Sequence, residues 1–322
     1  MKTTPRPYLL AGAFAYETVL PLVNPRSLQH ETRQGRKPVN VEVSVPVERC
    51  AGTAGQVAYN AALLGDSPLL VGCLGLKDFH DYEMWLETRG LDPSTLTVPD
   101  EPDLTTARTW AIRGVRDELA TAVAPGAMAR AAEVPDQTPG LWFLAQGDVR
   151  NTARLAVEAN QRGAEYFLRP GASFEGMLAG EADDEYRFQE LIWAASGIFF
   201  TREESERYVR GANSLLSVLS GEGQFLVTGD AAPGAALYAI TANGGLQTLR
   251  APSADLRSSF SYDAFCAGFM SRYALGLPFE DCLAWGSVMS QFAGEASVDK
   301  WHSPSMEQIA RRVQAQAAVY SV

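Results

Sequence analysis

From Leu141 onward the chain alternates short apolar runs with amphipathic stretches, and this alternation restricts the fold more than any other feature. Leu141-Trp142-Phe143-Leu144-Ala145, Tyr166-Phe167-Leu168, Gly197-Ile198-Phe199-Phe200 and Gln224-Phe225-Leu226-Val227-Thr228 have the length and composition of buried strands. A helix is predicted between the first two, over Asn151 to Gly163, and Asp184 to Trp193 supplies another amphipathic connection. Apolar strands separated by helices build a parallel sheet covered on both faces. Tyr8 to Phe14 reads as the first strand, with Gly12 suited to a tight exit at the carboxyl edge where open α/β sheets bind ligands.

Two further segments alternate with the period of a half-exposed strand: Val39 to Val47, and Ala107 to Arg113 followed by Val115 to Val123. Lying outside the βα alternation, they would form a small lid, serving equally as a homodimer contact or as a monomer's cover. The 322 residues, 46% of them hydrophobic, show no repeat and no linker long enough to separate independent domains. A net charge of -11 excludes a nucleic-acid partner held through phosphates, which needs a basic footprint. Cys50, Cys73, Cys266 and Cys282 lack paired metal-ligand spacing and read as reduced thiols. The first apolar run is short for a signal peptide and no run approaches the ~20 residues that cross a bilayer, so a cytoplasmic protein with no membrane partner is expected.

Ala51-Gly52-Thr53-Ala54-Gly55-Gln56-Val57 passes from a small-residue turn into a helix ending near Gly65, and the strand Leu69 to Gly75 follows. Late in the chain, Ser259-Phe260-Ser261-Tyr262-Asp263-Ala264-Phe265 opens an apolar helical run. Together these segments resemble the ribokinase or PfkB carbohydrate-kinase superfamily, and within it the bacterial adenosine-kinase-like branch. The resemblance implies an α/β, three-layer ribokinase-like fold with a mostly parallel central sheet, helices on both faces and a small β lid. It implies one domain over residues 1–322, with lid strands within 15–48 and 104–123. ATP and Mg2+ are the implied cofactors, and a nucleoside or sugar hydroxyl is the acceptor.

Residue by residue, the resemblance assigns Asp263 as the base for the acceptor hydroxyl. It assigns Phe260, Ser261 and Tyr262 to the turn whose backbone N–H groups meet the phosphate. Phosphoryl transfer needs little else than an oriented hydroxyl, a base and positive potential. Both glycine positions of that turn carry aromatic side chains here, which restrict the backbone. Glu17, Gly52 and Gln56 fall on acceptor-binding positions, with glutamine in place of the usual asparagine and Ala51 in place of a glycine. Thr228, Gly229 and Gly234 fall on the nucleotide loop, and Glu204 on an element that helps position magnesium.

Several of these residues have purely structural explanations as well. Thr201 and Glu204 satisfy the spacing of a helix capping box. Asp78 reads as structural at least as readily as ligand-binding, and Gly52 and Gly55 as turn and packing residues. Arg169, where the related branch usually has aspartate, would contact a phosphate or, more ordinarily, pair with a carboxylate. His30, His80 and His302 are too scattered for a metal centre, and surface or capping roles are expected. Two functions follow: a divergent ATP-dependent kinase using Asp263, or a non-catalytic descendant binding a nucleoside, nucleotide or protein partner.

Overall fold

The structure is a computed structural model describing residues 5–23, 42–113, 118–171, 190–206, 219, 223–229, 234–240, 245–251, 254–256, 258–296 and 301–320. Its main sheet has eight strands in the order β12-β11-β10-β9-β8-β7-β1-β4. These are β1 (Leu9–Ala11), β4 (Leu69–Val71), β7 (Leu141–Leu144), β8 (Glu165–Leu168), β9 (Gly197–Phe200), β10 (Phe225–Gly229), β11 (Ala235–Ile240) and β12 (Leu246–Ala251). All pairings from β4 through β10 are parallel, and β11 and β12 add antiparallel strands at one edge.

The short strands are apolar throughout because both faces are covered. Leu10, Phe143, Phe167, Phe199 and Phe225 point into one core, while Leu9, Trp142, Tyr166, Ile198 and Leu226 point into the other. Phe199 lies edge-on to Phe143 at 5.5 Å and to Phe269 at 5.3 Å, joining neighbouring strands to a helix. Each buried phenylalanine contributes roughly 1.5–3 kcal/mol.

The first core is roofed by α1 (Thr53–Leu63), α2 (Phe79–Glu87), α4 (Ser259–Ala274) and α5 (Phe279–Glu295), while α3 (Val149–Gln161) packs in the second. A last helix, α6 (Met306–Tyr320), lies against α5. Gly268 lets α4 approach α5 closely, since a Cβ there would stand 2.7 Å from the Trp285 carbonyl oxygen. Helix α3 begins two residues before the predicted Asn151 because Asp148 caps it, accepting from the Asn151 N–H at 3.1 Å.

A second sheet, ordered β3-β2-β5-β6, joins β2 (Ala15–Pro21), β3 (Val47–Ala51), β5 (Ala107–Arg113) and β6 (Glu118–Ala124). The alternating Val39 to Val47 run contributes less than its pattern suggests: regular pairing with β2 starts only at Val47, beyond Pro46, which has no N–H to donate. Earlier, Val43 forms one isolated bridge to Leu22. Residues 39–41, His30 and most of the 184–193 run lie outside the described residues.

Candidate functional site

The turn after β1 meets the start of α1, and the start of α4 meets the ends of β9 and β10. At the start of α1, Gly52 holds φ at 81°, and a Cβ there would press into the Ala13 carbonyl oxygen. Ala13 instead receives the Ala54 N–H at 3.0 Å, tying α1 to the turn after β1. Gln56 is buried in the first turns of α1, and its Oε1 has no hydrogen-bond partner among the described residues.

Glu17 on β2 faces Arg49 on β3, which donates from Nε to Glu17 Oε2 at 2.7 Å. The Arg49 guanidinium lies 4.9 Å from the Phe260 ring centre and 5.2 Å from that of Trp301. His302 completes this corner. It is buried against Phe260, its Nε2 stands 2.7 Å from Asn60 Oδ1, and its backbone oxygen accepts from the Tyr59 hydroxyl. The expected surface or capping role for His302 is therefore corrected: it is a core residue joining the carboxyl-terminal segment to α1. Burial, aided by Arg49, lowers its pKa to about 4, so it is neutral at physiological pH.

Helix α4 starts a turn before Asp263. Ser258 is the N-cap: its hydroxyl accepts from the Ser261 N–H at 3.1 Å, its carbonyl from the Tyr262 N–H at 3.0 Å, and Ser261 returns a hydroxyl to it. Two of the backbone amides expected to meet a phosphate, those of Ser261 and Tyr262, thus already have partners. The Tyr262 side chain runs under the strand ends, donating to the Phe200 carbonyl at 2.8 Å. Phe260 packs on Trp301 at 5.2 Å.

Asp263, the fifth residue of α4, is 1% exposed and accepts from Arg169 Nε at 2.7 Å. Of the two roles expected for Arg169, the carboxylate pair is the one present. Burial pushes the Asp263 carboxyl up to about 6, with Glu17 and Glu204 adding to the rise and Arg169 opposing it. Burial also works against the Arg169 charge, but the Asp263 and Glu204 carboxylates outweigh it and the net direction is upward. At neutral pH both partners are ionised. The guanidinium lies 4.4 Å over the Tyr262 ring.

Glu204 and Thr201 form the capping box: Thr201 N–H donates to Glu204 Oε2 at 2.7 Å, and Glu204 N–H to Thr201 Oγ1 at 3.2 Å. Burial raises the Glu204 pKa. Among the described residues no group of three His, Cys, Asp or Glu is arranged to hold a metal, so these side chains do not by themselves fit a magnesium cage. Asp78 is structural, accepting from the Thr106 N–H at 2.7 Å and from Arg108 at 2.8 Å.

Thr228 and Gly229 end β10, and Gly234 leads into β11. Gly229, Ala235 and Ala251 lie in register across three strands. Beside Ala251, a cavity of about 230 Å³ opens between β12 and α5, lined by Leu249, Arg250, Leu283 and Ser287 among others. His80 is exposed on α2, and Asp230 and Pro233 lie outside the described residues. The four cysteines are free, and no helix among the described residues is long and apolar enough to cross a membrane.

No protein-family model matches the sequence. The chain is 21% identical over 284 residues to the nucleoside kinase of Methanocaldococcus jannaschii, covering 85% of this chain and 89% of that protein. The crystal structure of that enzyme, described as an archaeal member of the ribokinase family, superposes with a TM-score of 0.76 over 96% of this chain and 98% of its own at 18% identity. The Burkholderia thailandensis nucleoside kinase in complex with inosine gives a TM-score of 0.77 over 96% and 98% at 20% identity. Ribokinase from Cryptococcus neoformans in complex with ADP gives 0.73 over 96% and 99% at 15% identity. Strand order and these likenesses together bear out the expected fold, and the chain has a ribokinase-like α/β fold.

Proposed function

We propose that this chain is a kinase-derived nucleoside-binding protein in which phosphoryl transfer is shut off at the start of α4. One observation carries the reading: Ser258 takes the Ser261 and Tyr262 amides while Arg169 takes the Asp263 carboxylate, so two of the phosphate donors and the base are occupied together. Preorganised donors lower a barrier only when they are aimed at the charge that develops. A base tied to a guanidinium is likewise a poor acceptor for a hydroxyl proton. The start of α1 keeps its close glycine turn at Gly52 and the unpartnered Gln56 Oε1, an acceptor that a ligand hydroxyl would satisfy. The inosine-bound relative supports a nucleoside in that place.

A second reading is favoured by the cavity beside Ala251 and by the retained Asp263 carboxyl. In a divergent kinase, ATP would use that cavity together with the Thr228, Gly229 and Gly234 edge, and Asp263 would act as base after Arg169 withdraws. Lid closure by the second sheet would exclude water in either case.

Thermal denaturation with adenosine and inosine, followed by transfer assays with ATP and Mg2+, separates the two. We expect nucleosides to raise the unfolding temperature and no nucleotide product to form above background. Product formation that Asp263→Asn abolishes would establish the kinase instead.

A further inference from the structure

The second sheet leaves the body of the molecule along one row. Ala51 closes β3, Ala15 opens β2 and Ala107 opens β5, and in register Ala15 faces both of the others. Beyond that row the sheet approaches the body chiefly where β3 meets α1 and where β5 meets the turn at Gly126–Ala129. A sheet so lightly joined can swing about its strand ends, so the side chains that cross the boundary decide where it rests.

On one face of the sheet the crossing is polar. Tyr16 donates from its hydroxyl to the Asp78 carbonyl at 2.7 Å, and the half-buried Arg108 pairs with the Asp78 carboxylate at 2.8 Å. Pairs that water still reaches hold weakly. On the opposite face, two residues before Ala51, Arg49 reaches across. Its guanidinium lies 4.9 Å from the Phe260 ring centre and 5.2 Å from that of Trp301, and the two rings are 5.2 Å apart. The Arg49 side chain is only 7% exposed, and a desolvated cation is held by aromatic faces more strongly than an exposed one.

Both rings belong to the body. Phe260 lies in the first turn of α4, and Trp301 precedes His302, which Asn60 and the Tyr59 hydroxyl fasten to α1. The pair between Arg49 and Glu17 is different: it joins β3 to β2 and would travel with the sheet, whereas the ring contacts would have to part.

The geometry points to Arg49 as a latch that holds the second sheet closed against the body, with the Phe260 and Trp301 rings as its catch. Phe260 occupies one of the two glycine positions of the turn before Asp263, and glycine there would leave Arg49 a single ring. The latch therefore arises from the same change that packs the start of α4. It acts whichever ligand the chain takes, so it does not rest on the proposed function.

Single-molecule energy transfer across the full chain tests the latch. Dyes attached through encoded azidophenylalanine at Val123 on β6 and Glu307 on α6, both exposed, leave the native cysteines untouched. The otherwise unmodified chain should show one predominant transfer population. In R49M and in W301L a second, open population should grow by at least about tenfold, while R49K, which keeps a cation, should retain part of the closed share. R49M/W301L should open no further than R49M, because both changes remove one contact. R108M acts only on the opposite face and should leave the distribution closed, with unfolding curves checking that every variant folds. Folded R49M and W301L with an unchanged distribution would overturn the inference. So would R108M opening the sheet as far as R49M, which would make the hold general packing, or R49M/W301L opening by the product of the single effects, which would make the two side chains independent.

Discussion

At the start of α1 the backbone turns on Gly52, and the helix is anchored by amides that reach the Ala13 carbonyl. At the start of α4 the first turn carries Phe260 and Tyr262, and both rings are used in packing: Phe260 against Trp301 and Arg49, Tyr262 against Arg169 and the strand carbonyls. The first end brings backbone against backbone, Gly52 against Ala13. The second converts the same kind of space into protein interior, so that its polar groups satisfy one another. A helix N-terminus attracts anions through free N–H groups, and a serine that caps those groups weakens the attraction without altering the fold.

The largest expected effect separates the two arginine–carboxylate pairs. Arg169→Met strands Asp263 as a buried charge and should cost about 3–5 kcal/mol in urea denaturation, most of it recovered in R169M/D263N. Arg49→Met should cost less, about 1–3 kcal/mol, because the rings of Phe260 and Trp301 accept the methionine stem while Glu17 loses a hydrogen-bonded partner. Equal costs would mean that the two ends are built alike.

The main sheet was legible in the chain because burial on both faces leaves a local mark: Leu141 to Leu144 is apolar at every position. The Thr201–Glu204 box was legible for the same reason, its two partners being three residues apart. The pairs that give the cleft its character were not. Arg169 and Asp263 are separated by 94 residues and His302 and Asn60 by 242, and neither pairing follows from any spacing. Arg49 required the β2–β3 register, in which it lies opposite Glu17. Ser258 left a partial signal, a serine three residues before Ser261, but the box closes with a serine where glutamate or glutamine is the usual sign.

The second prediction sets the two ends against each other in pH. His302 is lowered from 6.5 to about 4, so it binds fewer protons folded than unfolded in that window. Its contribution is fully present above pH 6.5 and is lost as pH falls toward 4, about 3 kcal/mol in all. Asp263 is raised from 3.8 to about 6 and acts with the opposite sign: its contribution is present below 3.8 and is lost as pH rises through 6. In the unmodified protein the slopes oppose each other between pH 4 and 6. Unfolding free energy should therefore fall with rising pH in H302Q and rise with pH in D263N. Parallel slopes in the two variants would show that one of these groups does not titrate as its burial requires.

The smallest effect concerns the cap. Ser258→Ala removes the hydroxyl that accepts from the Ser261 N–H and should cost about 1 kcal/mol. Hydrogen exchange at the Ser261 amide should quicken. The Tyr262 N–H should stay protected, because it donates to the Ser258 carbonyl, which alanine also provides. Only one donor is freed, and the Arg169–Asp263 pair is untouched, so S258A alone should not restore transfer from ATP. If S258A did restore it, the cap alone would have been the block, and the occupied carboxylate would be no barrier to catalysis. If instead Ser261 exchange stays slow, the amide is protected by burial rather than by Ser258. The contrast between the two ends would then rest on the aromatic side chains alone.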